Sequence, residues 1–247
     1  MFISVITPTF NSEKNILKNI ESLNSQEKIF EQIIVDNKSN DKTIEIIKKT
    51  ANYPFRIISE KDNGIYYAMN KGISKAGGDY LLFLNSDDWV PKQTFKIVER
   101  ERNENPNVDI FYGNTNYYKN DKINFFQKSD ISKILKTNSL SHQTMYFSKK
   151  IFLKYKFDIK YKVAADYDLS LKLFKRRYKF HFINKTLSNN LMGGYSSNLL
   201  ESFKDFFQIQ KKNNGLLKAF TYSFFEYKFQ IFKLIILKIT EYKNEKI

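Results

Sequence analysis

The adjacent carboxylates Asp87 and Asp88 come shortly after an apolar run at 82–84, where a buried strand would end. Burying two neighbouring negative charges is unfavourable unless a cation or hydrogen-bond donors compensate for them. Side-chain oxygens of Asn85 and Asp87 suit Mg²⁺ or Mn²⁺, and such an ion would also take two oxygens of a diphosphate. The alternative is that one carboxylate caps the helix that begins near Pro91.

A second acidic pair, Asp166 and Asp168, lies in the first turn of a predicted helix over 164–178. The positive end of the helix dipole favours carboxylates there, and a two-residue spacing places them on different faces. One side chain can therefore point into a cleft while the other caps the helix or forms an ion pair. In this interpretation Asp166 is a general base; otherwise both residues are ordinary first-turn charges.

Three further polar residues are candidates for binding. Asp36 follows the apolar run 33–35 and could accept a hydrogen bond from the N3–H of uracil, although an Asx turn would explain it as well. His142 and Gln143 precede an apolar segment and could bind a diphosphate or an acceptor. A single histidine is more often structural, so that assignment stays open.

The residue inventory limits the chemistry. The chain of 247 residues has no cysteine, which excludes disulfides, thiolate nucleophiles and cysteine-based zinc sites. It has two histidines, His142 and His181, so a metal would be held mainly by oxygen, as Mg²⁺ and Mn²⁺ prefer. Neither G-x-G-x-x-G nor G-x-x-x-x-G-K-[ST] occurs, which argues against a Rossmann dinucleotide site or a P-loop.

The formal net charge of +15 has two explanations. One is an anionic partner, such as a phosphorylated substrate or an acidic membrane surface, and the other is a compositional bias towards Lys, Asn, Ile and Phe. The lysines are spread along the chain and no nucleic-acid-binding motif occurs, so we expect no nucleic-acid partner. No signal peptide and no apolar stretch of about 18 residues is found, which predicts a cytoplasmic protein.

The elements that would position these residues alternate between strand and helix. Predicted strands cover 2–7, 33–36, 55–60 and 79–88, with Pro8 ending the first, and predicted helices cover 15–23, 41–50, 63–78 and 91–103. This alternation predicts an α/β fold with a mostly parallel sheet between helices. Ligands bind such sheets at the carboxyl ends of the strands, where Thr9, Asp36, Asp62 and Asp87 would converge.

The second half is predicted to be more mixed. It contains a strand over 108–114, a hairpin arm over 122–128, a strand leading into a helix over 141–155, a final strand over 179–190 and a loop over 192–198. We predict a catalytic domain at 1–198, with a nucleotide-sugar half at about 1–115 and an acceptor half at about 116–198. A helical C-terminal extension would follow at 199–247.

The segment 216–243 is unusually apolar and aromatic. At helical spacing one stripe contains Phe220, Phe224, Tyr227, Ile231 and Leu234, with lysines at 228, 233 and 243 beside it. Such a helix could lie on the anionic inner face of the cytoplasmic membrane, which predicts a peripheral attachment. The alternatives are that it packs on the catalytic domain or forms a homodimer.

Six stretches together resemble the bacterial family 2 glycosyltransferases, which have the GT-A fold. The resemblance covers about residues 1–190 and is closest to the branch that builds O-antigen and capsule repeats. The matching stretches, in the order and spacing of the family, are SVITPTFN (4–11), IIVDNKSNDKT (33–43), SEKDNGIYYAMNKGI (59–73), GGDYLLFLNSDD (77–88), SHQTMYF (141–147) and AADYDLSLKL (164–173).

The resemblance implies an inverting, metal-dependent transfer of a hexose from a nucleotide diphosphate sugar, which we expect to be a UDP-sugar. The acceptor would be a hydroxyl of a glycan or lipid-linked saccharide in surface polysaccharide biosynthesis. By motif, Asp166 would be the catalytic base and Asp87 the main ligand of Mn²⁺ or Mg²⁺, with Asp88 supporting the sugar or the metal. The nucleotide pocket would be formed by Thr9, Asn11, Asp36, Asp62 and Asn70.

Three positions depart from the family pattern. Tyr67 stands where many relatives have Asp, Asn85 is a weaker metal ligand than the usual acid, and Ala165 replaces an acidic neighbour of the base. Two other functions compete with glycosyl transfer. A sugar-phosphate nucleotidyltransferase should have a glycine-rich basic loop after the first strand, and TPTFNSEKN lacks one. A non-catalytic basic module that binds membrane or nucleic acid would need no acids aligned at the strand ends.

Overall fold

The protein is described by a computed structural model that places residues 1–27, 29–193 and 198–228. The first half consists of β1 (Ile3–Thr9), α1 (Ile16–Asn24), β2 (Phe30–Asp36), α2 (Thr43–Thr50), β3 (Phe55–Ser59), α3 (Ile65–Lys75), β4 (Tyr80–Phe83) and α4 (Thr94–Glu104). The second half consists of β5 (Ile110–Lys119), β6 (Lys122–Gln127), β7 (Tyr146–Ser148), α5 (Ala165–Lys175), β8 (Phe180–Leu191) and α6 (Leu199–Asn214). A further helix, α7, starts at 216 and reaches 228, the last described residue.

The eight strands of the described chain form one mixed sheet in the order β3-β2-β1-β4-β7-β5-β6, with β8 also paired to β5. The strands β3, β2, β1 and β4 are parallel, as the alternating pattern predicts. The short strand β7 is antiparallel to both β4 and β5, and joins the two halves of the sheet. The strands β5 and β6 form an antiparallel hairpin, which confirms the predicted arm at 122–128.

Both faces of the sheet are buried, so its central strands are apolar on both sides. Along β1, Val5 belongs to the core beneath α1, α2 and α4, whereas Ile6 belongs to the core beneath α3, α5 and α6. Leu82 and Phe83 divide in the same way along β4. The helix α3 packs closely on β1, because a Cβ at Gly72 would collide with the side chain of Ile6.

The prediction that Pro8 ends the first strand is wrong, because β1 continues to Thr9 and Pro8 pairs in register with Val35. The carbonyl of Ile6 accepts from Leu84, so alternate residues of β1, including position 8, turn their backbone polar groups towards β4. The strand β4 ends at Phe83, so Pro8 has no partner strand on that side. The backbone N–H that proline lacks is therefore not needed for a hydrogen bond there.

Several other bounds differ from the predictions, and two of the differences affect the site. The predicted strand over 79–88 ends at Phe83, which leaves 85–88 in a turn beyond the sheet. The predicted strand and helix over 141–155 is a 3-10 turn (His142–Thr144), the three residues of β7 and a second 3-10 turn (Lys149–Leu153). The apolar side chains of this segment are buried in the core beside the sheet. Tertiary burial, and not the periodicity of a helix, explains their positions in the sequence.

The helix α6 packs on the rest of the fold through the buried side chains Phe206 and Ile209, and the ring of Phe206 stacks on Tyr167. Helix α7 buries Ala219 but leaves large apolar side chains in solvent: Leu216, Leu217, Phe220, Phe224 and Phe225. Helices are thus confirmed in the first part of the tail, and Ile231, Leu234 and the lysines at 233 and 243 fall outside the described residues. No helix in the part of the chain that is described has the length and apolarity needed to cross a membrane.

Candidate functional site

A cavity of about 1100 Å³ opens at the carboxyl ends of β1 and β4, between the first turns of α3 and α5. Of the candidate residues drawn from the sequence, the cavity is lined by Thr9, Asn11, Asp62, Asn85, Asp87, Asp88, His142, Gln143 and Asp166. These residues are spread over more than 150 positions of the chain. The parallel sheet brings them to one place.

The turn 85–88 is held from below by Asn19 of α1. The Nδ2 group of Asn19 donates to the backbone oxygens of Asn85 and Asp88, both at 2.9 Å. Its Oδ1 accepts from Gln32 Nε2 at 3.1 Å, and the hydroxyl of Tyr53 donates to Gln32 Oε1 at 2.8 Å. This buried chain of hydrogen bonds fixes the backbone that carries the acidic pair.

Asp88 is bonded by the protein itself. Its Oδ1 accepts from the backbone N–H of Leu191 at 2.9 Å, and its Oδ2 accepts from Gln143 Nε2 at 2.9 Å. Burial raises the pKa of Asp88 well above its usual range, and the charge of Asp87 raises it further. Gln143 therefore supports Asp88 and is in turn held by the hydroxyl of Ser141, which donates to its Oε1 at 2.7 Å.

Asp87 and Asn85 present side-chain oxygens that accept no hydrogen bond from other described residues. Burial raises the pKa of Asp87, and its carboxylate receives no hydrogen bond from any other residue in the described chain. The Oδ1 atom of Asn85 is buried and also lacks a partner there. This pair of oxygens fits a hard divalent cation, for which carboxylate and amide oxygens are suitable ligands.

Tyr66, His142 and Asp166 form a connected group on the opposite wall. The Nδ1 atom of His142 lies 2.7 Å from Asp166 Oδ2, and the hydroxyl of Tyr66 lies 2.9 Å from Asp166 Oδ1. Burial by itself raises the pKa of Asp166, but the charge of His142 and the hydrogen bonds of His142 and Tyr66 outweigh it, and the net pKa is lowered. Burial raises the pKa of Tyr66 well above its usual range, so Tyr66 stays a hydroxyl donor.

The two first-turn carboxylates of α5 separate as the spacing suggests. Asp166 faces the cavity, whereas Asp168 pairs with Lys172 at 3.2 Å and with Lys212 of α6 at 3.7 Å. Asp168 is thus a structural ion-pair residue that ties α5 to α6.

Asp62 forms part of the cavity wall with one oxygen engaged. Its Oδ1 pairs with Lys71 Nζ at 2.6 Å, while its Oδ2 is buried without a partner among the described residues. The backbone N–H of Asp62 donates to Asn37 Oδ1 at 2.5 Å, which fixes the carboxylate relative to the end of β2. The free oxygen remains available to a hydroxyl or amide of a ligand.

At the end of β1 and in the loop that follows it, Thr9 and Asn11 line the cavity. The Oδ1 atom of Asn11 accepts from the backbone N–H of Asn40, and its backbone N–H donates to Ser39 Oγ. Asn11 adopts a positive φ of 46°, which asparagine tolerates better than most residues. The hydroxyl of Thr9 donates to the backbone carbonyl of Thr7 at 3.2 Å.

Two residues of the expected nucleotide pocket are not brought to the cavity wall. The carboxylate of Asp36 is fully buried and accepts from the hydroxyls of Ser39 and Ser59, in the arrangement of an Asx turn. The amide of Asn70 exchanges two hydrogen bonds with the backbone of Phe157, at 2.9 and 3.0 Å. Asn70 therefore fixes the segment that leads to α5.

Several residues of the site were not found by reasoning from the sequence. Tyr66 and Ser141 lie in the stretches 59–73 and 141–147 that carry the resemblance, but no role was assigned to them, and Asn19 and Asn190 carry no motif. Burial raises the pKa of Tyr117, another cavity residue, to about 12, and the charge of Asp88 adds to this effect. The position of Tyr66 shortly after the end of β3 indicates that it lies near the site, because α3 begins at the same edge of the sheet.

Known proteins with similar sequences are glycosyltransferases. Residues 4–180 match the family model described as glycosyl transferase family 2. A "PGL/p-HBAD biosynthesis glycosyltransferase" of Mycobacterium bovis is 28% identical over 209 residues, which cover 80% of each chain. The "amylovoran biosynthesis glycosyltransferase AmsB" of Erwinia amylovora is 28% identical over 207 residues, 75% of this chain and 68% of that protein.

Among solved structures, residues 1–349 of Staphylococcus aureus TarS in complex with UDP-GlcNAc superpose with a TM-score of 0.71. The identity is 20%, and the match covers 92% of this chain and 74% of the TarS fragment. This chain spans only 39% of a longer TarS chain that also matches. The similarity at this level of identity confirms the expected arrangement of sheet and helices.

Proposed function

Because this chain belongs to glycosyl transferase family 2, we propose that it moves a hexose from a nucleotide diphosphate sugar to a saccharide hydroxyl, with inversion at the anomeric carbon. Glycosyl transfer follows from the family, whereas the donor, the acceptor and the stereochemistry are our proposal. The observation that carries it is the meeting, in one cavity of about 1100 Å³, of the unpartnered Oδ1 of Asn85 and the carboxylate of Asp87 with the His142–Asp166 pair.

We propose a UDP-sugar as the donor. The TarS fragment with the same fold was solved with UDP-GlcNAc. The free Oδ2 of Asp62 and the polar wall at Thr9 and Asn11 would contact the nucleotide. A direct contact from Asp36 to uracil would require Ser39 and Ser59 to release its carboxylate, so Asp36 is a weaker candidate than the sequence suggests.

Mn²⁺ or Mg²⁺ would be held by Asp87 and Asn85, whose oxygens fit such an ion. Among the described residues, no three acidic or histidine side chains form a ready-made metal cluster, so diphosphate and water would complete the coordination. When bound, the ion would neutralise charge on the leaving diphosphate. Asp88, held by Leu191 and Gln143, would keep the turn in place and support the sugar.

The acceptor is proposed to be a glycan or a lipid-linked saccharide of surface polysaccharide biosynthesis, such as lipopolysaccharide, O-antigen or capsule. The similarity to the amylovoran biosynthesis enzyme supports this class. Tyr117, Asn190 and Tyr227 line the part of the cavity nearest the second half of the chain, where an acceptor would enter.

Helix α7 is proposed to rest on an anionic membrane surface. Phe220, Phe224 and Phe225 are each more than half exposed, and lysines at 218 and 228 flank them. A lipid surface would bury these rings while the lysine side chains reach the headgroups. A lipid-linked acceptor would make such an attachment useful, and homodimerisation through the same helix stays a competing prediction.

The experiment is a panel of UDP-, GDP- and dTDP-sugars with Mn²⁺, Mg²⁺ or EDTA. Donor binding is measured by calorimetry first, and nucleotide release is then measured with a saccharide acceptor panel. Binding of one donor that needs the metal, is lost in Asp87→Ala and is retained in Asp130→Ala would support the proposal. Asp130 is a suitable control because it caps a distant 3-10 turn. If no nucleotide sugar binds with either metal, the proposal is wrong.

A further inference from the structure

The carboxylate of Asp166 is engaged on both oxygens. Tyr66 lies at its Oδ1 and His142 Nδ1 at its Oδ2. The hydroxyl of Tyr66 also lies 2.7 Å from the carbonyl of Val163, so Tyr66 has an acceptor whichever way its hydrogen points. The ring of His142 thus holds Oδ2, whereas Oδ1 shares the one hydroxyl hydrogen of Tyr66 with the carbonyl of Val163.

The outer nitrogen of His142 is in the opposite situation. The His142 side chain is 12% exposed and lines the cavity. Its Nε2 atom is buried and has no hydrogen-bond partner among the described residues. An unpaired buried ring nitrogen is unfavourable unless a ligand supplies its partner.

The contact with Asp166 selects the tautomer of the ring. An ionised carboxylate accepts from Nδ1–H, which leaves the lone pair of the neutral imidazole on Nε2. This is the arrangement of histidine and aspartate in a serine hydrolase triad, where the carboxylate orients the base and stabilises the imidazolium that forms. The other titratable groups of the cavity wall are Asp62, Tyr66, Asp87, Asp88, Tyr117, Glu226 and Tyr227.

We propose that His142 Nε2 is the proton acceptor of the transfer reaction and that Asp166 is its positioning residue. The acceptor oxygen forms a bond to the anomeric carbon, the bond from that carbon to the diphosphate oxygen breaks, and the hydroxyl proton passes to Nε2. The electron pair of the broken bond leaves with the nucleoside diphosphate, and the imidazolium is held by the Asp166 carboxylate. The assignment rests on the proposed glycosyl transfer, but its geometry can be tested without any substrate.

The first test is the tautomer of His142 in the full chain. The chain has two histidines, so ¹⁵N-labelled histidine gives two ring systems, and a His181→Gln variant assigns them. We expect the neutral ring of His142 to carry hydrogen on Nδ1 and none on Nε2. The Nε2–H tautomer would overturn the assignment. Because no donor is needed, this result is independent of whether a nucleotide sugar binds.

The second test compares turnover once the donor panel has identified an active donor. General-base catalysis contributes about 10²–10⁴-fold, so His142→Gln should lower kcat by about that factor with little change in donor KM. Asp166→Asn should lower kcat as well and shift the acidic limb of the pH profile, because the orienting charge is lost. His181→Gln, on the other face of the sheet, should retain kcat.

The outcome that separates the two assignments is the turnover of His142→Gln. If this folded variant stays within about threefold of the wild type while Asp166→Asn is inactive, Asp166 is the base and our assignment is wrong. If His142→Gln instead weakens donor binding with kcat unchanged, His142 binds the diphosphate, and the assignment is equally wrong. Thermal melting of each variant checks that it is folded.

Discussion

Replacing Asn19 by alanine tests whether α1 holds the acidic turn in its binding geometry. The Asn19 side chain donates to the backbone oxygens of Asn85 and Asp88 and accepts from Gln32, in three buried hydrogen bonds. After the substitution, the oxygen of Asn85 keeps the bond from the backbone N–H of Asp88. The oxygen of Asp88 and one N–H of Gln32 lose their partner.

A buried polar group without a partner costs about 1–3 kcal/mol, so two such groups cost about 2–6 kcal/mol. Alanine returns at most about 0.7 kcal/mol through its higher helix propensity. We therefore expect the free energy of unfolding to fall by about 1–5 kcal/mol. Because the freed turn carries Asn85 and Asp87, we also expect the affinity for the nucleotide sugar in the presence of Mn²⁺ to fall at least about tenfold, or about 1.4 kcal/mol.

The assay combines urea unfolding with calorimetric titration of the donor at a temperature where all variants are folded. The matched control is Asn24→Ala, because Asn24 lies on the same helix and bonds Thr50 and Asn52 instead of the turn. The control should lose stability but keep its donor affinity. Wild-type donor affinity in Asn19→Ala would refute the reasoning, and so would an equal loss of affinity in the control.

Three further predictions concern the cavity and α7. Burial raises the pKa of Asp87 above its usual value of 3.8, so its ionisation destabilises the fold as pH rises above that value. Calorimetry without metal should therefore show a higher Tm for Asp87→Asn than for wild type at pH 7, and this difference should shrink below about pH 4. Equal Tm values at pH 7 would contradict the prediction. Asp62→Asn removes the charge paired with Lys71, and titration should show weaker donor binding with the fold retained; unchanged affinity would place the donor elsewhere. Replacing Phe224 and Phe225 by serine should reduce co-sedimentation with anionic vesicles, whereas Phe126→Ser on β6 should not; undiminished binding of the double variant would exclude α7 as the contact.

The sequence predicts the layout of the site because that layout is topological. Apolar runs that end in polar residues mark the carboxyl ends of strands, and parallel strands bring those ends to one edge. Thr9, Asp62 and Asp87 reach the cavity for this reason, although the strand bounds shifted by a few residues. The different fates of Asp166 and Asp168 also follow from the sequence, since a two-residue spacing on a helix separates their faces.

The contacts between side chains could not be predicted, because they depend on how distant elements pack. His142 and Asp166 are 24 residues apart and meet only because a 3-10 turn and α5 pack on the same wall. Asn70 was expected in the nucleotide pocket, but its face of α3 packs on the segment at Phe157. Asp36 has two serines within reach, one local and one on β3, and only the second requires the tertiary fold.

The acidic pair shows most clearly what packing adds to the sequence. Nothing in the dipeptide distinguishes Asp87 from Asp88, yet Asp88 receives hydrogen bonds from Leu191 and Gln143 while Asp87 receives none from another described residue. One carboxylate is therefore part of the structure, and the other retains an uncompensated charge at the cavity wall. A site that binds a cation needs such a charge, because a carboxylate already satisfied by the protein would have to lose those bonds first. The instability that we predict for Asp87 in the metal-free protein and the metal binding that we propose for it thus have the same physical origin.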